Sequence, residues 1–406
     1  MLEFMDYVQS AFYAGSRWNT DNSYASLTAA TTNLLDFRTP HGVRLHVSSL
    51  SSPNFATSYT LGNKGVVDGS FSFLFSNLGV KVASRSSAVY LGHLVRGYRH
   101  LQELRKPEDA SAWETVVDEK VVQKRDALLY GRMYLPGSTL EALYLRRLSP
   151  SRLLSIRAVS GAQLPHGGTL LAQLQNDQGK YTTEYLCSTD SALLGFRGLY
   201  NFGYDPRDEN SQLDSSAPAH PWDHKSGRLS VGAEAYFSPM NKSGGLSTGL
   251  RFTTLPVHTG IPYTMTLTLN PLMGNLSSSY AVKAGSDLSL CTRFDFNVYS
   301  YESDVTIGLE LWRRESSTAW ARKMLRSAWR NAPRPAGEST FVSSDFVMKQ
   351  QDATGVIKAR MSAAGKASLL WEGRVKELLV SVGAGFDMKS ATRALGSVGL
   401  EVSYSS

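Results

Sequence analysis

His220 and His224 are spaced four apart, which on a helix would put both imidazoles on one face and could hold a metal ion. Pro221 stands between them and breaks such a helix, so no metal site is expected there. Cys187 and Cys291 have no ligand-like spacing and are too few for a disulfide framework. Nucleophilic and phosphate chemistry finds no better support. No G-x-S-x-G, Walker A, H-E-x-x-H or G-x-G-x-x-G lies between a strand and a helix, and the eight histidines lack an evident nucleophile partner. The chain is therefore expected to be no enzyme, with no catalytic residue and no cofactor. Its chemistry-bearing residues suit recognition instead. Between 313 and 340, seven bases (Arg313, Arg314, Arg322, Lys323, Arg326, Arg330, Arg334) meet a single acid, Glu315, before Glu338, and so carry +6 of the formal +7. Trp320, Met324, Leu325, Ala328 and Trp329 form an apolar stripe at helical spacing, with Ser317 as a candidate N-cap. A basic amphipathic helix with Trp fits an anionic membrane surface or an acidic partner. The competing reading is a helix packed on the rim of its own domain.

The elements that must carry this segment are strands. From residue 41 onward apolar residues recur every second position, as in Tyr263, Met265, Leu267, Leu269, in Val305, Ile307, Leu309, Leu311, and in Val398, Leu400, Val402, Tyr404. Ser, Thr, Gly and Tyr dominate the other face, with few charges. The chain is 19% charged with a mean hydropathy of -0.22, and no stretch approaches the ~18 apolar residues of a membrane helix. A soluble sandwich alternates in the same way. Aromatic residues at strand ends (Phe202, Tyr204, Tyr236, Phe237, Tyr299, Tyr301) and the short turns favour a transmembrane barrel with an aromatic girdle.

Nineteen candidate strands can be counted, giving an all-β, up-and-down transmembrane barrel formed by residues 41-406. In 138-148 the apolar residues fall on both parities, 168-176 ends in Gln and Asn, and 353-363 could start nearer Phe341. The long connections 77-125, 203-228 and 313-340 all follow odd-numbered strands, so they should emerge together, on the cytosolic side. Within the first of them Leu91, Leu94, Val95, Tyr98 and Leu101 have helical spacing, which reads either as a docking platform or as the packing of a long loop. Residues 1-40 form an N-terminal segment in which Phe4, Met5, Val8, Ala11 and Phe12 mark a short amphipathic helix, plugging the lumen or lying at the interface. That segment carries Glu3 and Asp6 and lacks an uninterrupted apolar core, so it reads as neither a secretory signal nor a transit peptide. The expected membrane is therefore the outer membrane of an organelle.

In the last strand Ser397, Gly399, Leu400, Val402 and Tyr404 satisfy polar-x-Gly-x-x-apolar-x-apolar. This resembles the β-signal read by the sorting and assembly machinery of mitochondria, an extended edge able to add to another sheet edge. The blocks MLEFMDYVQSAFY, NSYASLTAATTNLLDF, VSSLSSPNFATSYTLG, SALLGFRGLYNFG and FDFNVYSYESD extend the resemblance to the mitochondrial distribution and morphology protein 10 family. That resemblance implies a nineteen-stranded barrel similar to the voltage-dependent anion channel and the translocase pore. It also implies a role at ER-mitochondria contact sites, anchoring the lipid-transfer subunits of the ER-mitochondria encounter structure for phospholipid exchange. A second implied role is with the sorting and assembly machinery, in late assembly of the general outer-membrane translocase. The expected partners are those complexes and membrane phospholipids, with no nucleic acid. Phe294, Phe296, Tyr299 and Tyr301, together with Trp320, Arg322, Lys323, Arg326 and Trp329, are the candidate docking residues. The rival function is a metabolite or peptide channel, which would need a wide bore lined by charge.

Overall fold

The computed structural model describes the chain except residues 64, 66, 81, 110–112, 118–119, 124–125, 163, 204–226, 256–257, 259, 315–352 and 390–394. Alternating sequence becomes one 19-stranded sheet closed on itself. Its strands are β1 Gly42–Ser52, β2 Phe55–Asn63, β3 Val67–Ser76, β4 Ala127–Leu135, β5 Thr139–Ser149, β6 Arg152–Ser160 and β7 Gly168–Asp177. They continue as β8 Tyr181–Ser188, β9 Leu194–Phe202, β10 Gly227–Ser238, β11 Ser243–Thr254, β12 Tyr263–Asn270 and β13 Asn275–Lys283. The last six are β14 Leu288–Asn297, β15 Ser303–Arg314, β16 Ala353–Ser362, β17 Lys366–Val375, β18 Leu378–Asp387 and β19 Leu395–Ser405. Each matches one expected strand to within a few residues. A separate hairpin, Glu114–Val117 with Lys120–Gln123, lies in the first long connection. Every neighbouring pair in the barrel is antiparallel except β1 with β19. These two run parallel from Gly42 opposite Gly399 to Ser48 opposite Ser405, as an odd strand count requires.

Outward positions carry Val43, Leu45, Val47, Tyr59, Leu61, Val305, Ile307 and Leu309, all exposed, while His46, Ser48, Ser58, Thr264, Thr266, Thr306 and Glu310 face inward and are buried. An apolar outer wall on a closed sheet is the arrangement a bilayer demands, because every backbone N–H and C=O is then paired within the sheet. Among the described residues no helix is long and apolar enough to cross a membrane.

The lumen is filled from within. Helix α1, Phe4–Gly15, buries Met5, Val8 and Phe12 against the inward Ala56, Leu74, Leu128 and Leu145, which is the plugging alternative of the sequence reading. Helix α2, Ala29–Leu35, lays Leu34 and Leu35 beside Ala281 and Cys291. The first long connection returns into the barrel as a strap. Leu91, Leu94 and Val95 pack with Tyr7 against Ala353, Val356 and Leu379. The expected helix over 91–101 is confined to α3, Leu91–Leu94. Val95 is already extended (ψ 123), and the strap then crosses the lumen with Gly97 against the Glu310 carboxylate.

Candidate functional site

The inward face differs from the Ser, Thr, Gly and Tyr lining expected of it. It carries charged side chains on many strands; some pair within the wall, as Arg197 does with Glu184 and Glu234, and others are spent on the plug and strap. Arg132 donates to Glu3 at 2.7 Å, Arg251 to the Ser26 carbonyl at 3.1 Å, and Arg360 to the Leu35 carbonyl at 2.7 Å. Arg293 reaches Asp36 at 2.8 Å, Arg228 the Gln102 carbonyl at 3.2 Å, and Lys358 the Arg96 carbonyl at 2.5 Å. Arg147 donates to the Ser16 carbonyl and lies over the rings of Trp18 and Trp113. Glu184 accepts from Ser23 at 2.5 Å and Gln173 at 3.0 Å. Lys358 stands 3.9 Å from each of two buried carboxylates, Glu310 and Glu372. Sequence polarity alone could not have found these pairs, because alternation reports which face a charge lies on and not what it meets.

The strap holds His100, which packs edge-on to Tyr98 at 6.2 Å. Burial, with help from the Lys283 charge, pushes the His100 imidazole below the usual histidine value. Burial also raises Asp6 on α1 above the ordinary carboxylate range, assisted by Glu3 and opposed by Arg96 and Arg132.

The C-terminal motif is placed at the seam. Leu400, Val402 and Tyr404 point outward in register with Val43, Leu45 and Val47 of β1, while Ser397 and Gly399 point inward. Behind the seam His46 bridges the two strands. Its Nε2 lies 2.8 Å from Glu401 and its Nδ1 3.0 Å from Thr60. The motif strand is thus the edge that closes the barrel.

Of the candidate docking residues, Phe294, Phe296, Tyr299 and Tyr301 are described. Phe294 and Phe296 face outward near the end of β14, their rings stacked with centroids 6.4 Å apart. Tyr299 and Tyr301 occupy the turn to β15 and are 67% and 80% exposed. The Tyr299 hydroxyl donates to the Pro271 carbonyl at 2.9 Å, so this ring also ties down the neighbouring turn. That turn follows an even-numbered strand, whereas the basic connection leaves from Arg314, at the far end of β15. From Val305, opposite Phe294, to Arg313 the strand runs for roughly 26 Å. The aromatic band therefore lies at the end of the barrel opposite Arg314, where the basic connection departs. Trp320, Arg322, Lys323, Arg326 and Trp329 lie outside the described residues, as does most of the connection 203-228 with its two histidines. Among the described residues no group of three or more His, Cys, Asp or Glu is placed to hold a metal ion.

The family model described as mitochondrial distribution and morphology protein 10 matches residues 1–340 and 324–406. A protein of that name from Phaeosphaeria nodorum is 56% identical, with all of both chains covered. One from Sclerotinia sclerotiorum is 52% identical, again over all of both chains. A third, from Emericella nidulans, is 44% identical over 96% of this chain and 91% of its own.

Proposed function

This chain belongs to the mitochondrial distribution and morphology protein 10 family, and from that premise we propose that it is a mitochondrial outer-membrane barrel that anchors a tether to the ER. In this reading it holds the lipid-transfer subunits of the ER-mitochondria encounter structure at contact sites. It also joins the sorting and assembly machinery during late assembly of the general translocase. The observation that carries the reading is the end-to-end match to the family. The filled lumen supports it against a metabolite or peptide channel, since a wide charged bore is what a channel needs and the charges here are paired with the plug. The long connections follow β3, β9 and β15 and so share one end, which we assign to the cytosol.

The aromatic band lies at the end opposite Arg314, where the basic connection departs, and in this reading the two act as separate contacts. Phe294, Phe296, Tyr299 and Tyr301 offer apolar area at the bilayer boundary. The bases around Arg322, Lys323 and Arg326 set orientation and on-rate toward an acidic partner. The test is purification from detergent-solubilised outer membrane with identification of what accompanies the barrel. Recovery is compared with Phe296→Ala, and separately with Arg322, Lys323 and Arg326 all changed to Glu, at matched barrel abundance. Each variant is expected to deplete partners that the other retains. Recovery of neither lipid-transfer subunits nor assembly machinery with the unaltered barrel refutes the function, and intact recovery with both variants refutes the sites.

A further inference from the structure

The glycine of the C-terminal motif has a neighbour that strand recognition does not require. A Cβ built on Gly399 would meet the backbone of Pro40 at 2.3 Å and the His41 nitrogen at 2.5 Å. One strand over and directly in register, a Cβ on Gly383 would meet Pro40 Cδ at 2.7 Å and Thr39 Cα at 3.3 Å. On β15, a Cβ on Gly308 would meet Leu35 Cδ2 at 2.5 Å and the Leu34 carbonyl oxygen at 3.3 Å. All three glycines face the lumen, and together they mark the path of the chain from the end of α2 to the start of β1. Polar anchors hold the same path. Arg293 binds Asp36, and Arg360 binds the Leu35 carbonyl while lying 5.3 Å from the Phe37 ring centroid. The segment Leu35–His41 therefore runs beneath the last strands, passes under the seam partner β19, and only then turns into β1.

We propose that Gly383 and Gly399 form a receiving slot for residues 39–41, so that the seam closes only around a seated N-terminal segment. The motif glycine then has a second task besides pairing with another sheet edge. It leaves room for the chain's own N-terminal segment, and seating that segment becomes a step in barrel closure. Gly383 separates the two tasks, because it lies on β18, outside the C-terminal motif.

The experiment uses the full chain imported into mitochondria, with Gly383→Ala, Gly399→Ala and, as a control, Gly198→Ala. Gly198 faces outward on β9, where a Cβ would meet only the Phe196 ring at 3.8 Å. The readouts are carbonate-resistant integration and, once the outer membrane has been opened by osmotic swelling to admit trypsin to the end where β1 begins, protection of the bond after Arg38. Forcing a methyl into a filled slot should lower the protected, integrated fraction by about tenfold for both slot variants, while the control stays at the unaltered level. Adding Pro40→Ala removes the Cδ that Gly383→Ala strikes, so the double variant should regain protection. It should do nothing for Gly399→Ala, whose obstacle is backbone. Integration and protection of Gly383→Ala equal to those of Gly198→Ala would overturn the slot and leave Gly399 with strand recognition alone. Failure of Pro40→Ala to restore Gly383→Ala would overturn it as well.

Discussion

Lys358 is the clearest place to perturb the filled lumen. Its side chain is 3% exposed and stands 3.9 Å from both Glu310 and Glu372, which are 0% and 2% exposed. Lys358→Met keeps all but the terminal atom of the unbranched side chain and removes its charge. At that separation and an effective dielectric of ~20, each attraction is worth about 4 kcal/mol. Some of that returns because the lysine no longer has to leave water. Removing one partner of a buried pair then costs about 3–5 kcal/mol in total, most of it the penalty at Glu310, which keeps the neutral Trp312 indole, whereas Glu372 keeps the N-terminal ammonium. The strap loses the Lys358 bond to the Arg96 carbonyl in the same step. The assay is denaturant unfolding of the barrel in detergent, with Glu310→Gln introduced alone and in the Lys358→Met background. Neutralising Glu310 should be costly on its own but should recover at least about 1–2 kcal/mol when Lys358 is already gone. A Lys358→Met loss below about 1 kcal/mol would refute the reasoning, as would strictly additive losses in the double variant.

Other outcomes follow from the same geometry. Phe12→Ala empties a 0% exposed site between α1 and the inner wall and should cost about 3–5 kcal/mol; unfolding in detergent measures it, and a loss under about 1 kcal/mol would mean that α1 does not pack there. His100 has its folded-state pKa lowered by burial, so the unfolded chain takes up the proton first. Its contribution is therefore whole above the unfolded value near 6.5 and is lost as pH falls below it. Unfolding midpoints should drop on acidification through that window, and less so for His100→Gln; equal slopes would count against it. Far-ultraviolet circular dichroism of the purified protein in detergent should be dominated by β structure, and a monodisperse sample without detergent would contradict the membrane wall.

The strands were legible because lipid on one side and a polar interior on the other impose period two, and the nineteen segments marked by it became the nineteen strands of the sheet. The exceptions have local causes. In β5 the apolar residues sit on both parities because Leu143 and Leu145 face inward onto α1, while Leu140 and Leu148 face out. In β7 Gln173 and Gln175 line a luminal crevice of about 430 Å³ beside Trp18 and Asn22, which explains the polar end of that strand. The strap misled for a different reason. Leu91, Leu94 and Val95 are apolar because the inner wall is apolar where they land, and the spacing that suggested a longer helix came from that wall. Helix α2 and the hairpin at 114–123 were not foreseen. The slot glycines were visible as residues but not as a site, because only the path of a distant segment gives an inward glycine its purpose.

A hollow barrel can ovalise when the bilayer presses unevenly on it, since its cross-section flattens by changing the angles between neighbouring strands while their register is kept. This cylinder carries struts. Arg132 to Glu3, Arg251 to Ser26 and Arg360 to Leu35 tie the wall to the chain inside it at several points around the circumference, and the strap adds Lys358 to Arg96. Flattening the cross-section would have to break those ties or crush the packed α1. The barrel therefore behaves as a solid post, and a load applied to the long connections at one end passes into the bilayer with little lost to deformation of the wall.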